Sequence, residues 1–109
     1  MTPHITESDC EILRHVHPLA LERFRERVLG EVEGVVHNST QDHHARYLEI
    51  FKLVQQRDRK ISRIFDDPRR SSALTMLAHM RSEGLLTDEE FSSLSQETRN
   101  AIEAFLDGR

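Results

Sequence analysis

The sequence predicts an all-α protein, and three observations carry that prediction. Chain breakers are scarce, with 4 Gly and 3 Pro in 109 residues. Apolar residues recur at spacings of three and four, the period of a helix face. Cap residues stand at regular intervals before and after these periodic runs. The architecture expected is one domain over 1–109: a short N-terminal helix and a long antiparallel hairpin in 1–66, then three short helices in 67–109.

A first helix is expected over 9–16. Ser8-Asp9-Cys10-Glu11 has the form of a capping box, in which the Ser hydroxyl accepts a backbone N–H and the Glu reaches back. His17 precedes Pro18, which disfavours helical backbone at His17 and suits Pro18 to the first turn of a new helix. That second helix runs over 18–36, with Leu21, Phe24, Val28, Val32, Val35 and Val36 on one face. Gly30 and Gly34 lie within it and favour close approach of a neighbouring helix.

A polar turn, 37–41, is short enough to make the next helix antiparallel. Thr40 or Asp42 caps that helix, expected over 42–65. Tyr47, Phe51, Val54, Ile61 and Phe65 form its stripe, and Asp58 stands where a further apolar residue belongs. About 24 residues at 1.5 Å each give roughly 36 Å, against a diameter of about 34 Å for a compact chain of this length. This helix therefore spans the molecule or projects from it. Asp67-Pro68 reads as a cap and first turn for a helix over 68–82, with Leu74, Leu77 and Met80 inward. Gly84 is the left-handed stop, Thr87-Asp88-Glu89-Glu90 is a capping box for a helix through Leu94, and Ser95 caps a last helix ending near Leu106.

The stretch Leu74-x-x-Leu77-x-x-Met80-x-x-x-Gly84-Leu85-Leu86-Thr87-x-x-Glu90-Phe91 resembles the SHOCT motif, a short C-terminal helix–turn–helix module. The likeness covers about 18 of the 109 residues, and Ser92-Ser93-Leu94-Ser95 replaces the motif's usual basic second helix. The resemblance implies an oligomerisation or docking element. The residues also have a plain physical reading as a capped helix–helix corner.

Composition narrows function. A net charge of −4 argues against general affinity for nucleic acid or membrane surfaces. No apolar run approaches 18 residues, and a single cysteine, Cys10, has no internal disulfide partner, which together point to the cytoplasm. Hydrophobic residues make up 37% of the chain, low for an ordinary domain and suited to slender helices that complete their core by association.

No motif for catalysis, cofactor or nucleotide appears. Cys10 and His15 are five apart, which does not face them on a helix. The 7 histidines include His15 and His17 before one end of the second helix and His37, His43 and His44 at the other, roughly 28 Å away, so they do not serve one metal. His79 reads as a boundary residue. His37 with His43 or His44 lacks the three or four ligands and the supporting carboxylates of a zinc site.

The unusual segment is 55–70. It carries Arg57, Arg59, Lys60, Arg63, Arg69 and Arg70 against Asp58, Asp66 and Asp67, a net +3 that leaves −7 on the rest of a chain totalling −4. The candidate interaction face is Arg57, Asp58, Arg59, Lys60, Arg63, Arg69 and Arg70, either a docking face for an acidic protein or a solvated helix end favoured by the helix dipole. Asp58 is expected to pair with an Arg across a helix–helix contact, within or between subunits, and to fix register there.

The reading that follows is a non-enzymatic, cofactor-free helical adaptor or regulator acting by protein–protein contact, self-associating as a homodimer. A nucleic-acid-associated regulator using the 57–70 bases is the second reading. A histidine-based metal protein or enzyme is the third.

Overall fold

The computed structural model describes residues 5–108, in which five helices and no strand occur. They are α1 (Glu7–Val36), α2 (His43–Phe65), α3 (Ala73–Ser82), α4 (Asp88–Ser92) and α5 (Gln96–Asp107). The expected all-α class and long antiparallel hairpin are present as α1 and α2.

Three boundaries differ from expectation. The break at His17-Pro18 does not occur, and α1 runs through Pro18. Proline inside a helix costs about 3 kcal/mol through a lost hydrogen bond and a carbonyl clash. On either side of it, Leu13, Val16, Ala20 and Phe24 are buried in one core. Each large apolar side chain buried contributes about 1.5–3 kcal/mol, so a continuous face outweighs the proline. The helix also begins earlier than Ser8. Thr6 is the cap, its hydroxyl accepting from the Asp9 N–H at 3.1 Å. Ile5 and Cys10 are both buried, at the positions of a hydrophobic staple, which sets the entry of the chain.

The helix expected from Pro68 begins instead at Ala73. Asp67 has φ 61, a left-handed conformation incompatible with the extended backbone of an N-cap. Residues 67–72 form a turn, with the Ser72 hydroxyl accepting from the Arg69 N–H at 3.1 Å. The remaining caps fall where expected. Asp42 caps α2, Thr87 and Glu90 complete a reciprocal capping box, and Ser95 caps α5. Gly84 ends α3 with φ 70 while the Leu85 N–H reaches back to the Met80 carbonyl at 2.9 Å.

The core lies at the base of the hairpin, not between its arms. There the first half of α1 and the end of α2 (Ile64, Phe65) meet Met76, Leu77 and Met80 of α3, with Leu85, Phe91, Leu94 and Ile102 beneath. Beyond Phe24 no α1 residue is fully buried. The molecule measures 52 × 27 × 24 Å, and its radius of gyration is 16.7 Å, against about 13 Å for a compact chain of this length. The distal half of the hairpin is an arm projecting from a compact head.

Candidate interaction surface on the helical arm

The arm is held together by a thin seam. Val28, Val32 and Val35 of α1 are half-buried, as are Ile50, Leu53 and Ile61 of α2. Between them Arg57 donates to both Glu31 oxygens at 3.0 and 2.7 Å. This pair occupies the polar interruption that the sequence places in the α2 stripe. Hydrogen bonds from Arg57 hold the Glu31 carboxyl below its ordinary pKa, against the opposing effect of burial. Gly30 and Gly34, expected to admit a close neighbour, have no atom within 4 Å of the position a Cβ would take. The chain itself does not use that space.

One side of the arm is apolar and uncovered. On α2, Tyr47, Phe51 and Val54 are 71, 55 and 47% exposed. Leu48 lies beside them, also exposed. On α1, Leu29 is 68% exposed and Val36 46%. These side chains are large, and their exposure is not scattered. The α2 positions share one face by spacing, and a groove lined by Val28, Leu29 and Val32 of α1 with Val54, Asp58 and Ile61 of α2 runs between the helices. The stripe expected to face a core is thus split: Phe65 is buried, Ile61 half-buried, and the outer three face solvent.

Asp58 lies on this face and is exposed. The expected partnership with an Arg is not made among the described residues. Among the described residues Asp58 has no ion pair.

The basic cluster does not form one patch. Arg57 turns to Glu31, and Lys60 reaches Glu83 of α3 at 3.0 Å. Arg69 pairs with Asp67 at 2.8 Å. Arg70 lies 3.6 Å from Glu7 and donates to the Ile5 carbonyl at 3.2 Å. Arg59 and Arg63 are exposed without an ion pair among the described residues. Arg63 borders a cleft between α2 and α3 that also takes in Lys60, His79 and Glu83.

Three polar locks escaped the sequence reading. Arg23 donates to both Glu90 oxygens at 2.7 and 3.0 Å and to the Leu85 carbonyl at 2.8 Å, while Arg27 donates to the Glu83 carbonyl at 2.8 Å. They fasten the Gly84 corner to α1. Asp9, 1% exposed, accepts from the Ser95 N–H at 2.9 Å and from the Ser95 and Thr98 hydroxyls at 2.6 Å each. Burial pushes the Asp9 carboxyl up, but these hydrogen bonds outweigh it and hold the group below its ordinary value. The only local signal for these locks was the cap chemistry of Ser95 and Thr87; the residues they join lie 56 to 89 positions apart.

Histidines are dispersed. His17 donates to the Phe65 carbonyl at 2.8 Å, and His79 meets the Phe105 ring edge-on at 6.0 Å. No group of three or more His, Cys, Asp or Glu able to hold a metal occurs among the described residues. No helix among them is long and apolar enough to cross a membrane.

No family model matches the chain, and no curated protein sequence matches it. The chain is similar in fold to a solved structure. This is the Fluorescence Recovery Protein from Synechocystis sp PCC 6803, with a TM-score of 0.77 over 94% of this chain and 97% of that one. At 17% identity the likeness is one of fold. It extends over arm and head together, so the projecting hairpin belongs to the shared architecture.

Proposed function

We propose that this chain is a small helical regulator that works by protein–protein contact and that self-associates through the apolar side of its arm. The observation that carries the reading is the uncovered face of Leu29, Val36, Tyr47, Leu48, Phe51 and Val54. These six residues expose on the order of 600 Å² per copy, taking aromatic side chains as roughly 150–250 Å² each. Two copies burying that face would remove about 1,200 Å² from water, at the lower edge of standard protein interfaces of about 1,200–2,000 Å². A patch of this size stands at the upper end of what a monomer exposes, where patches are often functional.

The setting we propose is the cytoplasm, where a lone buried thiol stays reduced. The resemblance of residues 74–91 to a docking module points in the same direction, toward contact and away from chemistry. A nucleic-acid reading has less to stand on, because four of its six bases are engaged by carboxylates of the same chain. An acidic protein segment keeps a narrower foothold in the cleft beside Arg63.

Multi-angle light scattering across a concentration series tests the main reading. The wild type is expected to approach twice the chain mass of 12.7 kDa, and Phe51→Glu to remain monomeric with an unchanged melting curve at low concentration. A wild type that stays monomeric at several hundred micromolar removes self-association from the proposal.

A further inference from the structure

The apolar face on α2 has a symmetry of its own. Its members Tyr47, Phe51, Val54 and Asp58 follow spacings of 4, 3 and 4, which read the same from either end. Three are apolar or amphipathic and exposed, and the fourth is an exposed carboxylate with no ion pair among the described residues. Two copies can meet along this stripe in two directions, and the chemistry of the ends separates them.

In a parallel pairing each residue meets itself, so Asp58 faces Asp58 of the partner copy across a dry apolar seam. Like charges brought together there are repulsive, and each loses water without gaining a donor. In an antiparallel pairing about a two-fold axis between Phe51 and Val54, each Phe51 packs on Val54 of the other copy. Each Tyr47 then comes level with Asp58 of the other copy. A phenol donates one hydrogen bond and an ionised carboxylate only accepts, so the pair is complementary. The contact repeats at both ends, as an isologous interface requires.

We infer that a second copy of this chain docks antiparallel on the α2 face, and that Asp58 sets the direction by accepting a hydrogen bond from the partner's Tyr47. This rests on the self-association proposed above and adds to it the orientation and the residue that selects it. In helical assemblies a polar residue in an apolar seam commonly specifies register at a cost in stability.

Distances between the arm tips decide it. Ser39 lies in the turn at the tip. A nitroxide label on Ser39→Cys, in a Cys10→Ala background whose fold is checked by circular dichroism, reports tip-to-tip separation by double electron–electron resonance. With a rise of 1.5 Å per residue, antiparallel arms hold the tips about 30–40 Å apart, and parallel arms bring them within about 20 Å. The expected result is the long distance alone. Adding Asp58→Leu is expected to bring in a short component, because the parallel form loses its penalty. Tyr47→Phe is expected to weaken dimerisation by at least about a hundredfold, from loss of two hydrogen bonds to charge. A dimeric mass with only the short distance would overturn the antiparallel inference and leave self-association standing. An Asp58→Leu dimer that keeps only the long distance would overturn the role of Asp58. A monomeric mass in the unlabelled wild type would overturn the underlying reading instead.

Discussion

Replacing Asp9 by Ala tests how the head is held to α1. The side chain is 1% exposed and accepts three hydrogen bonds from Ser95 and Thr98 at 2.6–2.9 Å, all at the N-terminus of α5. Hydrogen bonds to a charged partner contribute about 1.5–3 kcal/mol each. They do not add fully here, because the Ser95 hydroxyl still caps Thr98 at 3.2 Å without Asp9. A loss of about 3–4 kcal/mol is the expected total, and at about 4–5 °C per kcal/mol for a chain of this length the melting temperature falls by roughly 12–20 °C. Asp9→Asn keeps the shape and one acceptor but no charge, and is expected to lose about half as much. The pH dependence follows from the depressed native pKa of Asp9. Its stabilisation is complete above the unfolded value of about 3.9 and disappears as pH falls through the lower folded value. Thermal unfolding by circular dichroism at pH 7 and at pH 2–3 measures both effects. The gap between wild type and Asp9→Asn is expected to narrow in acid. A loss under about 1 kcal/mol for Asp9→Ala, or a gap that stays constant into acid, refutes the reasoning.

Other perturbations separate the remaining elements. Glu90→Gln retains a group able to cap α4 but removes the charge facing Arg23, and a loss of about 2 kcal/mol is expected; hydrogen exchange should quicken at Leu85 and Leu86 before it does in α1. Pro18→Ala restores an N–H within α1 at an exposed position, and a gain of about 1–2 kcal/mol in urea unfolding is expected, since the native core already absorbs the proline. If the cleft between α2 and α3 receives an acidic segment, an oligoglutamate peptide will shift the amide resonances of residues 60–64 and 79–83 at low salt. Arg63→Glu will abolish those shifts, and an equal response to an oligoglutamine peptide would dismiss the idea.

What could be read ahead of the structure was what is local. Asp42, Gly84, Thr87 with Glu90, and Ser95 act on backbone groups within a few residues, and each stands where its chemistry predicts. Pro18 departs from expectation for the same reason. The local rule was sound, but Leu13, Val16, Ala20 and Phe24 are buried together by distant partners, and that burial decides the matter. Periodicity located the stripe of Tyr47, Phe51 and Val54 correctly as a face. It carries no information on what covers a face, so a surface open to solvent looked like core. The bonds of Arg57 to Glu31 and of Asp9 to Ser95 join residues 26 and 86 positions apart and leave no trace in either neighbourhood.

The placement of the core at the base of the hairpin has a consequence for how the arm behaves in a cell. The head holds nearly all the fully buried side chains, while the arm relies on half-buried aliphatic side chains and the ion pair that crosses its seam. Regions with few buried contacts open at much lower free energy than the whole molecule. If the arm is completed by a second copy, mass action makes its order depend on how much protein is present. Backbone amides of the distal arm would then exchange faster on dilution while those of the head stay unchanged. A chain built this way would gauge its own abundance, presenting a finished surface only above a threshold concentration.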